Sequence, residues 1–159
     1  MDNVEKLLAF EELRTLRARY FRGADTKDWG LMESVFAPDV VFDIRGVTTD
    51  PRTGVNVVPS VSEGIITGSK AVIQAIREGI TGVTTVHHGH MPELEITSDT
   101  TAKGIWAMED VLKWPDDSKI ASMHGFGHYF ETYEKINGQW KIKTMTIKRL
   151  MLDITFRQE

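Results

Sequence analysis

"YEKINGQWKI", residues 133–142, decides the fold. Asn137-Gly138 separates two short segments that carry Tyr133, Ile136, Trp140 and Ile142. Asn-Gly suits the type I′ turn, whose two central residues both need positive φ, so the stretch reads as a tight β-hairpin. Working outward, its arms are predicted as strands over 119–135 and 139–155. The turn signals "TSDT" (97–100) and "PDDS" (115–118) bound two earlier strands, 90–97 and 101–114. The second half of the chain is therefore an antiparallel meander.

The first half reads differently. Val4, Leu7, Leu8, Leu13, Leu16 and Phe21 recur at helical spacing, which predicts a helix over 4–22. Gly23 and "GADTKD" end it. A short helix is predicted over 28–36 and closed by Pro38, and "VVFDIRG" (40–46) is β-branched and reads as a strand. Residues 47–66 are irregular, and the loop 47–63 is long enough to border a site. "GSKAVIQAIREGI" then gives a third helix, with Ser69 as its N-cap. Helices followed by a meander predict an α+β fold, with the helices packed on one strongly curved antiparallel sheet.

With 159 residues, 41% hydrophobic and 26% charged, the chain is expected to form a single domain with a substantial core, 1–159. A net charge of −4 argues against a general phosphate-backbone binder, so no nucleic-acid partner is expected. The absence of cysteine excludes disulfides, thiolate zinc sites and a cysteine nucleophile. No stretch has the length of a membrane span or a signal peptide's apolar segment, and the expected location is cytoplasmic, with no membrane partner.

Three of the five histidines fall in "TTVHHGHMPELEIT", 84–97. His88 and His90 alternate on one strand face, with Gly82 before them and Glu95 after, which approximates the first metal motif of the cupins. The glycine expected after the glutamate is Ala102, and the second cupin motif is absent. No metal or cofactor is expected. The competing reading centres the next turn on Ser98-Asp99, which places His87 directly across from Asp110 as a base with a carboxylate behind it. Strand alternation opposes this, since Leu94 and Ile96 facing inward would put His87 outside. A bulge near Pro92 would reset the parity. The Asn137-Gly138 turn places Arg149 across from Phe126, either as an outward charge or as a bidentate partner for an acid at a pocket mouth. Tyr20 and Asp25 lie about 140° apart round a continuous helix, unless Gly23 interrupts it.

"RARYFRGADTKDW" (17–29), "HHGHMPELEITSDTTAKGIWAMEDVL" (87–112) and "YEKINGQWKI" followed by Lys148-Arg149 resemble the SnoaL-like, scytalone-dehydratase-like branch of the nuclear-transport-factor-2-like superfamily, nearest to the bacterial bile acid 7α-dehydratases. The resemblance implies a cone-shaped sheet enclosing a pocket covered by N-terminal helices. It also implies a catalytic set of Tyr20, Asp25, His87, Asp110 and Arg149. Trp106, Phe126, Phe130, His88, Met145 and Met151 are the expected substrate-binding wall. The implied activity is a cofactor-free dehydratase for a hydroxylated, carbonyl-activated steroid- or polyketide-like ring. In that scheme His87, held by Asp110, takes the C–H proton and Tyr20 donates a hydrogen bond, with the proton roles of Tyr20 and His87 exchangeable. An isomerase or cyclase using the same base, or a carrier that only binds, remains open. A homo-oligomer, dimer or trimer, is expected by the same analogy.

Overall fold

The structure, a computed structural model, describes residues 1–58 and 64–158. Its elements run α1 (Asn3–Thr26), α2 (Trp29–Val35), β1 (Phe36–Asp43), β2 (Ile65–Thr67), α3 (Ser69–Ile80), β3 (Thr84–Ile96), β4 (Thr101–Lys113), β5 (Ile120–Ile136) and β6 (Gln139–Phe156). The six strands form one curved, unclosed sheet in the order β2-β1-β6-β5-β4-β3. Every neighbouring pair is antiparallel except β1 and β6, which run parallel. The expected meander is thus extended by a parallel edge.

The hairpin forms as its sequence requires. Asn137 and Gly138 take φ of 50° and 78°, and Ile136 pairs with Gln139. At the other end, Asp2 and Glu5 make a reciprocal capping box, with the Glu5 N–H donating to Asp2 Oδ1 at 2.9 Å and the Asp2 N–H to Glu5 Oε2 at 2.7 Å. Gly23 does not break α1. The helix continues to Thr26, and the missing Cβ lets Met32 Sδ of α2 pack 2.9 Å from the point that Cβ would occupy. α1 stops instead at Lys27, a left-handed C-cap (φ 58°) that costs a non-glycine residue roughly 1 kcal/mol.

Three further expectations change. Pro38 lies inside β1 rather than closing α2, at a register break between Phe36 and Val41 where a missing N–H is tolerated. Gly68, not Ser69, caps α3, and no side chain supports that cap. Part of the irregular 47–66 segment is β2, and Thr49 and Asn56 form an isolated bridge. Residues 59–63 of the expected loop lie outside the described residues.

The core fills the concave face. Alternation directs Ala102, Trp106 and Met108 of β4, Tyr129 and Tyr133 of β5, and Ile142, Met145 and Ile147 of β6 inward against Leu13, Leu16, Tyr20 and Phe21 of α1, while Leu112, Met123 and Leu152 form a second cluster with Val83. Val4, Leu7 and Leu8, counted in the same sequence stripe, are about 60% exposed, because at 3.6 residues per turn they fall on the helix face away from Ala9, Leu13, Leu16 and Tyr20.

One ion pair is sealed into this core. Arg17 Nη1 donates to Glu131 Oε1 at 2.6 Å, and both side chains are almost wholly buried. The guanidinium lies over the rings of Tyr129, Tyr20 and Phe21, at 3.6, 4.2 and 4.4 Å from their centroids. Those ring faces cover Nε and Nη2, which have no hydrogen-bond partner. Burial raises the Glu131 carboxyl, opposed by the charge of Arg17 and a hydrogen bond from Tyr133. Among the described residues no helix is long and apolar enough to cross a membrane.

Candidate active site

The concave face and helices enclose a cavity of about 510 Å³. Its apolar wall includes Ile44, Ile76, Val83, Leu112, Trp114 and Ile147. Tyr20, His87, Asp110, Tyr129 and Arg149 bring the polar groups.

His87 enters the cavity because of a bulge. It pairs with Asp110 across β3 and β4, and the register slips by one residue between Gly89 and Pro92. That slip reconciles an inward His87 with an inward Leu94 and Ile96. The orienting carboxylate, however, is Asp25. His87 Nδ1 lies 2.6 Å from Asp25 Oδ1, the His87 backbone N–H donates to Oδ2 at 2.9 Å, and the Thr85 hydroxyl donates to Oδ1 at 2.9 Å. Burial works to raise the Asp25 carboxyl, but the hydrogen bonds from the His87 ring and backbone, with its charge and Thr85, hold it below the ordinary carboxylate range. An ionised acceptor assigns the proton to Nδ1 and leaves Nε2 as the free lone pair. Phe21 lies nearly parallel to the imidazole, 13° between planes with centroids 6.0 Å apart.

Asp110 is occupied elsewhere. Arg149 Nη1 and Nη2 donate to its two oxygens, each at 2.8 Å, with side-chain exposures of only 3% and 5%. The expected pairing of Asp110 with His87 therefore holds in backbone register but not as a hydrogen bond. The last turn of α1, packed on β3, supplies the carboxylate instead. Arg149 Nε donates to the carbonyl of Val47 at 2.9 Å, so all three guanidinium nitrogens bind protein acceptors.

Arg149 faces inward for a reason that the hairpin alone does not show. A register slip between Thr132 and Tyr133 places it across from Gly127 rather than Phe126, and another between Phe126 and Gly127 follows beyond it. The first slip exchanges the two faces of β6, so Met145, Ile147 and Arg149 point into the core. Gly125 leaves the space for the fork. A Cβ there would fall on Asp110 Oδ1 and 2.6 Å from Arg149 Nη1.

Tyr20 is buried at the cavity, and burial pushes its phenol well above the ordinary value. Tyr129, which sequence reasoning passed over, also lines the cavity, with its ring edge-to-face with Tyr20 at 6.2 Å. Its signal was its place on the face of β5 that carries Gly125 and Gly127.

The six expected wall residues lie outside the cavity lining. Trp106 is core, its Nε1 donating to the Tyr133 hydroxyl at 2.8 Å, and Met145 is core beside Arg17. Phe126 and Phe130 occupy the β5 face opposite Tyr129, against His124 and under Lys148 respectively. Met151 meets Arg52, and His88 is 61% exposed. His88 Nδ1 and His90 Nε2 stand 3.6 and 3.5 Å from Glu109 Oε1, and His124 Nε2 stands 2.9 Å from Oε2. Glu95, the third residue of the cupin-like motif, pairs with Lys103. Among the described residues no group of three or more His, Asp and Glu is arranged to hold a metal ion.

A curved open sheet that wraps a pocket under N-terminal helices defines a fold of the nuclear-transport-factor-2-like type. The chain belongs to the SnoaL-like domain family, which it matches over residues 5–146. It is similar in structure to a hexachlorocyclohexane dehydrochlorinase, LinA type 2 (TM-score 0.78, 17% identity, covering 97% of this chain and 93% of that one). It is also similar to a scytalone dehydratase candidate from Novosphingobium aromaticivorans (0.77, 18%, 99% and 94%). A LinA-type3 dehydrochlorinase from Novosphingobium barchaimii gives 0.75 at 16% identity, covering 97% and 94%. At such identities the likeness is one of fold.

Proposed function

We propose that this protein is a cofactor-free lyase that removes water from a hydroxylated, carbonyl-activated ring compound of steroid or polyketide type. The observation that carries the reading is the His87–Asp25 pair, set in a largely apolar cavity that Tyr20 also lines. His87 Nε2 takes the proton from the carbon beside the carbonyl, and Asp25 stabilises the imidazolium that forms. The C–H electrons move onto the carbonyl oxygen, where Tyr20 donates a hydrogen bond. As the carbonyl re-forms, the β-hydroxyl leaves with a proton from the imidazolium, giving water and a conjugated ketone. A phenol kept protonated by burial suits a donor, which favours His87 over Tyr20 as the base.

Arg149 serves Asp110 and Val47 rather than a substrate anion, so the substrate is uncharged at the end that meets the polar residues. The cavity volume lies within the ordinary range for small-molecule sites. The dehydrochlorinases named above eliminate HCl from a ring, a reaction that likewise couples C–H deprotonation to loss of a leaving group. The resemblance to bile acid dehydratases, carried by Tyr20, Asp25, His87, Asp110 and Arg149 in the sequence, supports the same reading. The protein works as a homo-oligomer in this reading, with a small apolar hydroxylated compound as its partner.

The test is a panel of hydroxylated cyclic ketones followed for a new conjugated chromophore and a mass loss of one water. Turnover that His87→Ala and Asp25→Asn leave intact would remove the assignment. A product of unchanged mass would instead make the enzyme an isomerase or cyclase.

A further inference from the structure

Lys27 is an unusual residue to find at a left-handed helix cap, where glycine is the common choice. Its side chain shows a use for it. Nζ folds back to donate to the Ala24 carbonyl at 3.2 Å and to Thr85 Oγ1 at 3.0 Å. An ammonium can only donate, so Thr85 must accept from it, and the single hydroxyl hydrogen is left for Asp25 Oδ1 at 2.9 Å. That same Oδ1 receives Nδ1–H of His87. The polarity of the chain Lys27–Thr85–Asp25 is thereby fixed in one direction. Thr85 is 4% exposed, so water does not readily replace its hydroxyl.

We propose that Lys27 and Thr85 are positioning residues for the His87–Asp25 pair, forming a donor arm that keeps the Asp25 carboxylate ionised with Oδ1 fixed beneath the imidazole. The consequence, which rests on the acid–base reading above, is a division of labour. With one hydroxyl and one ring N–H on Oδ1 and a backbone N–H on Oδ2, Asp25 is a poor proton acceptor, and Nε2 of His87 is the base that meets the substrate. The titratable groups that face Asp25 are Lys27, next but one in the chain, and His87 on β3.

The carboxyl carbon of Asp25, followed by 13C NMR across acid pH in aspartate-labelled protein, tests this without a substrate. Thr85→Val removes the hydroxyl at nearly constant volume and is expected to raise the Asp25 midpoint by about one pH unit, the worth of one hydrogen bond to a carboxylate. Thr85→Ser is expected to restore it. Lys27→Gly is the discriminating variant, because glycine fits the left-handed cap better than lysine. It is expected to raise the Asp25 midpoint by about half a unit while thermal stability is kept or improved. Midpoints within about 0.2 unit of wild type in both Thr85→Val and Lys27→Gly would overturn the proposal. So would a Lys27→Gly protein that loses stability with an unmoved midpoint, since that result makes Lys27 a structural cap. The carboxyl titration is blind to turnover. A failed substrate panel therefore leaves the arm standing, and a failed titration leaves His87 as base.

Discussion

Removing Arg149 gives the sharpest test of how the polar part of the cavity is held. The guanidinium and the Asp110 carboxylate are 3% and 5% exposed and share two hydrogen bonds of 2.8 Å. Arg149→Met keeps much of the side-chain volume but leaves a buried carboxylate with no counter-charge. Such a break typically costs about 3–5 kcal/mol, and the lost bond to Val47 adds about 1 kcal/mol. For a chain of this length each kcal/mol lowers the melting temperature by roughly 2–4 °C, so a fall of about 8–24 °C is expected. Asp110→Leu with Arg149→Met removes both charges and should recover most of the loss except the Val47 share, because a buried pair is worth little against a packed apolar substitute. Urea unfolding of the two single variants and the double variant, analysed as a cycle, measures this. A single-variant loss below about 1 kcal/mol, as for an exposed pair, would refute the reasoning. So would a double variant no more stable than Arg149→Met.

Other outcomes follow from the same geometry. His87→Ala should lower kcat/KM on an active substrate by about 10²–10⁴-fold, and Asp25→Asn should do so by a similar factor, because both disable the general base. Gly125→Ala should split the Asp110–Arg149 fork and destabilise the fold by about 1–3 kcal/mol, an overpacking cost that thermal melts will show. Asp25 sets a pH dependence of stability. Its folded-state value lies below the unfolded 3.8, so its contribution is present above that value and is lost as pH falls through the folded one. Asp25→Asn should flatten the acid limb of a stability-against-pH curve, and an unchanged limb would contradict the pairing.

The architecture was legible wherever one local rule governed it. Asn137-Gly138 needs two positive φ values, and the alternation of β4 and β5 needs only one buried face. The site was half legible. His87 opposite Asp110 follows from counting back from a turn, and it held as register. What counting could not supply was the tertiary partner. Asp25 reaches His87 because α1 runs on through Gly23, whereas the sequence reads as a break there. Two of the wall residues, Trp106 and Met145, do face inward but belong to the core, whereas His88 and Met151 failed on parity, since a bulge leaves no mark in composition and each one exchanges inside for outside. Phe126 and Phe130 look like pocket residues and lie on the other face of β5. The glycines Gly125 and Gly127 held a usable hint, because their spacing marks the face that has to make room for Arg149.

The slip at Thr132 and Tyr133 makes β6 tolerant of length change at one place and intolerant at another. Lys143 is the surplus residue there, between Ile142, paired with Tyr133, and Thr144, paired with Thr132. Deleting it would leave Met145, Ile147 and Arg149 facing inward, since the strand would simply become regular. Deleting Ile147 instead would carry Lys148 into the interior and turn Arg149 to the outside. Loss of a single residue can therefore be harmless or ruinous within four positions of the same strand. Drift in chain length should accumulate at the bulges and spare the segment between them.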